Sequence, residues 1–282
     1  MSWLHYRVCF RLLSPLHIGR RGVGNLMRTR PYVPGKVIWA ALTARLTRDY
    51  LSSSNPQNYK TIGEAIKIKF RFGYLWPSLD GDVPCFPWEH EAFDYTFLGS
   101  YVSTALDYGR GAAEEGSLHE TEFLAPYTRD EGLPVFLVGD LWVREDSLPD
   151  NLKHWQKALE RVQLGGERVY GWGRVRLIIS QKEKSGQGST VTGLRWQEQD
   201  GEVAIVVPAG RCLLAHALAE SLLRDDVSGP IDLLSGWERD NKDPKRIWRL
   251  SRVKIAYAPD AKAKRELRLK LNPWGVLCRD AT

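Results

Sequence analysis

The chain has 282 residues, 43% of them hydrophobic and 26% charged, with 40 Lys plus Arg against 34 Asp plus Glu for a net charge of +6. That composition fits one large globular domain or two smaller ones, and it excludes pervasive disorder, collagen and a disulfide scaffold. No run of about 18 apolar residues is present, which excludes a membrane-spanning helix. The first predicted element is a half-buried strand over residues 3–13. Leu4, Tyr6, Val8, Phe10 and Leu12 share one face, and His5, Arg7, Cys9 and Arg11 the other, until Ser14-Pro15 ends the pattern. An alternating start has no apolar signal-peptide region, so the expected location is cytoplasmic. Cys9, Cys85, Cys212 and Cys278 are far apart with no CxxC, and are expected as thiols of a reducing compartment rather than zinc ligands.

A loop rich in Gly and Arg is expected from Ile18 to Arg30, punctuated by Pro31, Pro34 and Gly35. Helical spacing of Val37, Ile38, Ala41, Leu42, Ala44 and Leu46 predicts a helix from Lys36 to Leu51. Residues 65–72 form a short alternating segment, 73–87 read as loop, and 89–94 and 114–122 are acidic. Strands are predicted at 123–126 and 133–143. Leu152, Trp155, Leu159 and Val162 predict an amphipathic helix stopped by Gly165-Gly166, followed by a strand over 169–179. Gln181–Gly193 is polar and Gly/Ser-rich and reads as a linker or mobile loop. Beyond it come a strand at 203–207, a helix at 211–223, and strands at 252–257 and 267–271. The expected architecture is α+β: a domain over 1–180, the linker over 181–193, and a second α+β domain over 194–282.

Charge is distributed unevenly. Arg7, Arg11, Arg20, Arg21, Arg28, Arg30, Lys36, Arg45 and Arg48 all precede the first acid, Asp49. Such a folded basic surface suits a phosphate backbone, unless it merely balances acids elsewhere. A second basic stretch, Lys242–Lys270, contains Lys245, Arg246, Arg249, Arg252, Lys254, Lys262, Lys264, Arg265 and Arg268, with Trp248 and Tyr257 available for stacking on bases. The third element is the run Gly165, Gly166, Glu167, Arg168, Val169, Tyr170, Gly171, Trp172, Gly173 and Arg174. Its glycines would let the backbone approach a phosphate, or would simply cap a helix and enter a strand. It is neither a P-loop nor a dinucleotide fingerprint.

Catalytic signatures are sparse. His5, His90, His119, His154 and His216 read as structural or unassigned, with no HExxH, GxSxG or SxxK motif, and no cofactor or metal is implied. His17, closing the first strand beside the Arg loop, is the one candidate general base for a metal-independent ribonuclease.

Two runs, Ser14-Pro15-Leu16-His17-Ile18-Gly19 and Pro31-Tyr32-Val33-Pro34-Gly35-Lys36-Val37-Ile38-Trp39-Ala40-Ala41-Leu42, resemble the opening of the RAMP superfamily of CRISPR-associated proteins. Gly165–Arg174 resembles that family's glycine-rich loop. Phe70–Pro77 is similar to a segment of the type III subunit that caps the 5′ end of the guide. The resemblance spans roughly residues 4–180. It departs at Lys36-Val37-Ile38-Trp39, where the family has Ser and a smaller residue. It implies ferredoxin-like, RNA-recognition-motif-like modules as two packed α+β halves, and a non-catalytic subunit of a type III effector complex that holds the guide at its 5′ handle. Its partners would be CRISPR RNA, other RAMP subunits, the large subunit and target RNA. The implied RNA contacts are His17, Arg20, Arg21, Arg28, Arg30, Lys36, Gly165, Gly166, Arg168, Gly171, Trp172, Gly173 and Arg174. Two alternatives stay open: a guide-maturing ribonuclease using His17, and a backbone-type subunit. The latter's metal-dependent cut needs an acid that the Ile18–Arg30 loop lacks, so Asp80, Asp82 or Asp107 would have to supply it.

Overall fold

The computed structural model describes residues 2–50, 55–223, 225–239, 248–250 and 252–279. In chain order the first part contains β1 (Leu4–Leu12), β2 (Gly19–Val23), β3 (Leu26–Thr29), α1 (Gly35–Tyr50), α2 (Pro56–Lys69), β4 (Phe70–Phe72) and β5 (Trp76–Ser78). It continues with α3 (Phe93–Phe97), β6 (Leu98–Ser103), β7 (Leu106–Asp107), β8 (Ala112–Ala113), β9 (His119–Leu124), β10 (Phe136–Val143), α4 (Trp155–Leu159) and β11 (Val175–Ser185). The second part is nearly all strand: β12 (Gln187–Ser189), β13 (Arg195–Gln199), β14 (Glu202–Val207), β15 (Ala217–Leu218), β16 (Val227–Ser228), β17 (Ile231–Leu234) and β18 (Trp237–Arg239). After these come β19 (Trp248–Leu250), β20 (Lys254–Tyr257), β21 (Lys262–Ala263), β22 (Leu267–Leu271) and β23 (Leu277–Cys278). The fold is mixed α+β, with several sheets and few helices.

The alternation of β1 decides the layering. One sheet runs β11-β1-β10-β4, with β5 also on β10, and β1 pairs antiparallel with both neighbours. Tyr6, Val8, Phe10 and Leu12 turn to one face and meet Ile38, Leu42 and Leu46 of α1, Ile62 and Ile66 of α2, and Trp155 of α4. The other face, expected to be exposed, is buried at His5 and Cys9 and half-buried at Arg7 and Arg11. His5 and Asp140, 2.7 Å apart, lie there under Trp142 and Trp196. The reason is a second, eight-stranded sheet, β12-β13-β14-β22-β23-β15-β20-β17, whose inner residues Trp196, Ile205, Leu269 and Leu271 share a core with Trp76 and Trp142. The order is therefore helices, sheet, sheet.

Several local expectations change. Residues 56–69, only partly read as an alternating segment, form α2, capped by Asn55 and opened by Pro56. The helix expected from 150 is a 3-10 turn, Asp150–Leu152, followed by the short α4. The segment expected as a linker is strand over most of its length, because β11 runs to Ser185 against β1 and β12 starts at Gln187. The helix expected at 211–223 is absent. Leu213 and Leu214 donate backbone bonds to Ala261 and Pro259, Leu214 takes φ +60°, and β15 pairs with β20 and β23. Long-range pairing overrides an apolar run that carried no decisive period.

Phe10 is 1% exposed at the centre of the first core, whereas Leu233 on edge strand β17 is 63% exposed. Phe10→Ala is expected to cost about 3–5 kcal/mol and Leu233→Ala less than about 0.5 kcal/mol. Urea unfolding of both variants checks the contrast.

Candidate nucleic-acid interface

The loop expected from Ile18 to Arg30 is a β-hairpin. β2 and β3 pair antiparallel around a two-residue turn, Gly24-Asn25, in which Gly24 takes φ +58°. β3 then lies parallel to β9, so an acidic strand backs the basic hairpin. Glu122 of β9 is the anchor: its carboxylate accepts from Thr29 N at 2.9 Å and Arg28 Nε at 3.2 Å. Its carbonyl accepts from His17 Nδ1 at 2.7 Å. That bond places the proton on Nδ1 of the neutral ring and leaves Nε2 as an acceptor.

Tertiary acids answer much of the basic opening. Arg7 pairs with Asp82, Arg28 with Glu122, Arg30 with Asp232, and Arg45 with Asp49. Among the described residues, Arg20, Arg21 and Lys36 have no ion pair, and all three are exposed. Of the acids considered for a metal-dependent cut, Asp80 accepts from Ser78 Oγ and from the amides of Asp82 and Val83. Asp82 holds Arg7, and Asp107 faces Arg110 in the β7–β8 ribbon.

The glycine-rich loop packs against the first strand's exit. Gly165 has φ +72°, and a Cβ there would lie 2.3 Å from the His17 carbonyl oxygen, while Gly166 N donates to that oxygen at 2.9 Å. Gly173 has φ +74°, and a Cβ there would lie 1.8 Å from the Leu164 carbonyl oxygen. These glycines serve backbone-to-backbone packing within the chain. Gly171, also left-handed, faces open space. Between them a 3-10 turn, Arg168–Tyr170, presents Val169 and Tyr170 at 97% and 80% exposure. Trp172 packs edge-on against Phe123, with ring centroids 5.2 Å apart. Arg174 is exposed, and its amide donates to Ser14 Oγ at 2.9 Å.

These pieces border a cleft of about 1040 Å³. Its walls bring together His17, Arg30, Lys36, Gly165, Gly166 and Arg168. Arg20, Arg21, Arg28, Gly171, Trp172, Gly173 and Arg174 lie outside it. The far wall comes from the second part of the chain: His216, Arg252, Lys254, Asn272 and Trp274. Among the described residues, five Arg or Lys side chains line the cleft and no Asp or Glu does. Sequence reading grouped Arg252 and Lys254 with a basic stretch but passed over Trp274 and His216. The Asn-Pro-Trp-Gly turn around Trp274 was their one local signal. Of that stretch, Lys242, Lys245 and Arg246 lie outside the described residues. Lys264, Arg265 and Arg268 pair with Asp225, Asp226 and Glu266, and Tyr257 packs on the second core. Trp39, the departure from the family pattern, donates Nε1–H to the Gly63 carbonyl at 3.1 Å and joins α1 to α2.

A polar network fixes the cleft floor. Arg30 Nη1 donates to Asp232 Oδ2 at 2.9 Å and to Tyr32 Oη at 3.0 Å. His216 donates from Nε2 to the same Asp232 oxygen at 3.1 Å and accepts at Nδ1 from Tyr74 Oη at 2.6 Å. The hydrogen bond from His216 and the charge of Arg30 hold the Asp232 carboxyl well below its ordinary range. Burial pushes the Tyr32 hydroxyl up to about 12 and lowers His216 from its usual value.

The sign for His216 follows from linkage. Its folded value is depressed, so below the ordinary histidine value of about 6.5 the unfolded chain binds a proton that the folded chain refuses. The contribution of His216 is complete above that pH and is lost as pH falls toward the folded value. His216→Gln is expected to flatten the dependence of Tm on pH between about 7 and 5. An unchanged slope in thermal melts would refute this.

The sequence matches no family model and no curated protein. Solved structures match in fold. One is a chain in the cryo-EM structure of the type III-B Cmr-beta bound to cognate target RNA and AMPPnP, with a TM-score of 0.52 at 12% identity, covering 91% of this chain and 85% of that one. A second, a chain of the type III-B Cmr-beta bound to cognate target RNA, has a TM-score of 0.48 at 14% identity and covers 92% and 86%. The chain is thus similar in fold, over almost its whole length, to a subunit of the type III-B Cmr CRISPR effector complex.

Proposed function

We propose that this chain is a non-catalytic, RNA-binding subunit of a type III CRISPR effector, and that its cleft holds the guide, at its 5′ handle. The observation that carries the reading is the cleft lining among the described residues: five cations, of which Lys36, Arg168 and Arg252 have no ion pair there while Arg30 and Lys254 meet Asp232 and Glu220, with two histidines, Tyr59, Tyr74 and Trp274. Phosphate and single-stranded bases are the ligands such a wall favours. The fold likeness to a Cmr-beta subunit and the resemblance of the Ser14–Gly19 and Gly165–Arg174 motifs support it. In this reading the helix-backed sheet within 1–180 is the ferredoxin-like module, and the strand-rich part over 194–282 packs on it. The partners are CRISPR RNA, other RAMP subunits, the large subunit and target RNA, in the cytoplasm.

Gel-shift titration with guide RNA between 50 and 200 mM salt tests it. Neutralising about six phosphates would weaken binding roughly 10³-fold over that range. Lys36→Ala and Arg252→Ala are each expected to reduce the salt slope by about 1. Arg28→Ala, already neutralised by Glu122, is expected to change it little. Salt-independent or absent binding would overturn the proposal.

One observation favours a second reading, a metal-independent ribonuclease: His17 lines the cleft with Nε2 left as an acceptor. A general base at a ribose 2′-OH needs that tautomer. Guide cleavage on a denaturing gel that persists in EDTA and vanishes in His17→Ala, with binding intact, would establish it. No cleavage in either protein retains the binding reading.

A further inference from the structure

We propose that Trp274 is a stacking platform for one unpaired base of the bound RNA, with Asn272 and Gln163 at the base edge and Lys36 on its phosphate. The proposal rests on the RNA reading of the cleft. It adds that at least one base is turned inward, and three of its four residues, Trp274, Asn272 and Gln163, lie beyond the family-like motifs.

The platform is held rigidly. Asn272 Oδ1 accepts from the amides of Trp274 at 2.9 Å and Val276 at 3.0 Å. Gly275 takes φ +79°, and a Cβ there would lie 2.4 Å from the Phe72 carbonyl oxygen. Gly35, at the start of α1, would carry a Cβ 2.7 Å from the Trp274 carbonyl oxygen. Two glycines thus let the Asn272–Val276 turn press onto the first sheet and α1. On the ring itself, Trp39 contacts Trp274 at a centroid distance of 6.1 Å and an interplanar angle of 69°. An aromatic fixed in this way loses little freedom when a base stacks on it.

The lysines around the ring differ. Lys67 Nζ lies 5.0 Å from the Trp274 centroid, but it is tied to Glu64 at 2.7 Å and also sits over Trp39 at 5.3 Å. Lys36 Nζ lies 5.5 Å from the centroid, is exposed, and has no ion pair among the described residues. Lys36 is therefore the cation that can leave: its ammonium moves to a phosphate and the base takes its place on the indole.

The base edge meets complementary amides. Asn272 uses its carbonyl on its own turn, which leaves its NH₂ as a donor. Gln163 uses its NH₂ on the carbonyls of Arg168 at 3.1 Å and Trp172 at 2.6 Å, which leaves its oxygen as an acceptor. Both residues line the cleft. A paired base cannot offer its face or its Watson–Crick edge to them, so a continuous duplex does not fit.

The test uses the full chain with a mixed-sequence single-stranded RNA and the same RNA annealed to its complement. Trp274→Ala is expected to bind the single strand about 10-fold more weakly with an unchanged salt slope, because stacking is lost and no phosphate contact is. Trp274→Phe is expected to stay within a few-fold of wild type. The duplex is expected to bind weakly to all three proteins. Ultraviolet cross-linking of 5-iodouridine-substituted RNA is expected to yield a peptide containing Trp274. If the alanine variant is too unstable to assay, the phenylalanine variant and the cross-link still decide. Wild-type affinity in Trp274→Ala, or cross-links that all avoid Trp274, would overturn the inference while leaving the cleft as an RNA site. No RNA binding by the wild-type chain would overturn the underlying reading as well.

Discussion

The contact from Arg30 to Asp232 joins residues 202 positions apart, and the cleft depends on it. Arg30 closes the basic hairpin on the first part of the chain, and Asp232 lies on the edge strand of the second sheet. Burying a guanidinium and a carboxylate is costly unless both are paired and their remaining bonds are met. Here Tyr32 and His216 meet them, and Tyr74 in turn satisfies His216. Removing one partner of this half-buried pair would leave the other charge, and the groups bonded to it, uncompensated. The network therefore fixes β17 and β20 against the hairpin, and so sets where Leu234, Arg252 and Lys254 stand across from Lys36 and Arg168.

The same network changes what the basic opening means. Counted along the chain, nine cations stand before any acid. Counted in space, three of them meet acids brought from 75 to 202 positions away, and Arg45 meets Asp49 on its own helix. Those pairs hold the hairpin and helix in place. Among the described residues, uncompensated charge remains at Arg20 and Arg21 on the hairpin and, where the two parts face each other, at Lys36, Arg168 and Arg252, in a cleft whose walls are partly apolar. Low-dielectric walls with one sign of charge concentrate the field on a bound anion more than an open surface would.

How much of this was legible depended on the range of the interactions. β1 and α1 could be read because their apolar periods lie within single segments, although the second sheet that covers His5 on the other face of β1 could not. His17, Lys36, Gly165 and Arg168 were found from motifs that lie within single segments, and the fold brings them to one cleft. The false helix at 211–223 and the false linker at 181–193 fail for one reason. Both segments take their conformation from strands far away, Ala258–Ala263 in one case and β1 in the other, and no local window contains those partners. Trp274, Asn272 and His216 were illegible as site residues on the same ground, since only the docking of the second sheet places them opposite the hairpin. Glu122 shows the same dependence from the acidic side: it lies in the acidic segment 114–122, and only the pairing of β3 with β9 makes it the residue that seats Arg28, Thr29 and His17.

The glycine loop links these levels. Gly165 and Gly173 have no room for a Cβ because backbone presses on backbone, so their role is fixed by folding before any ligand is considered. What that packing achieves is the placement of the segment between them. Arg168 is held at the cleft rim and Gln163 keeps its NH₂ on the loop's own carbonyls, while Val169 and Tyr170 stand out into solvent. Exposing two large side chains at a rigid turn gains nothing for stability by itself. The arrangement is consistent with a loop whose glycines shape the tip and whose charged and aromatic residues meet whatever lies in, or beside, the cleft. In the proposed reading, structural glycines and a binding role are not competing explanations: the first would be the physical means of the second.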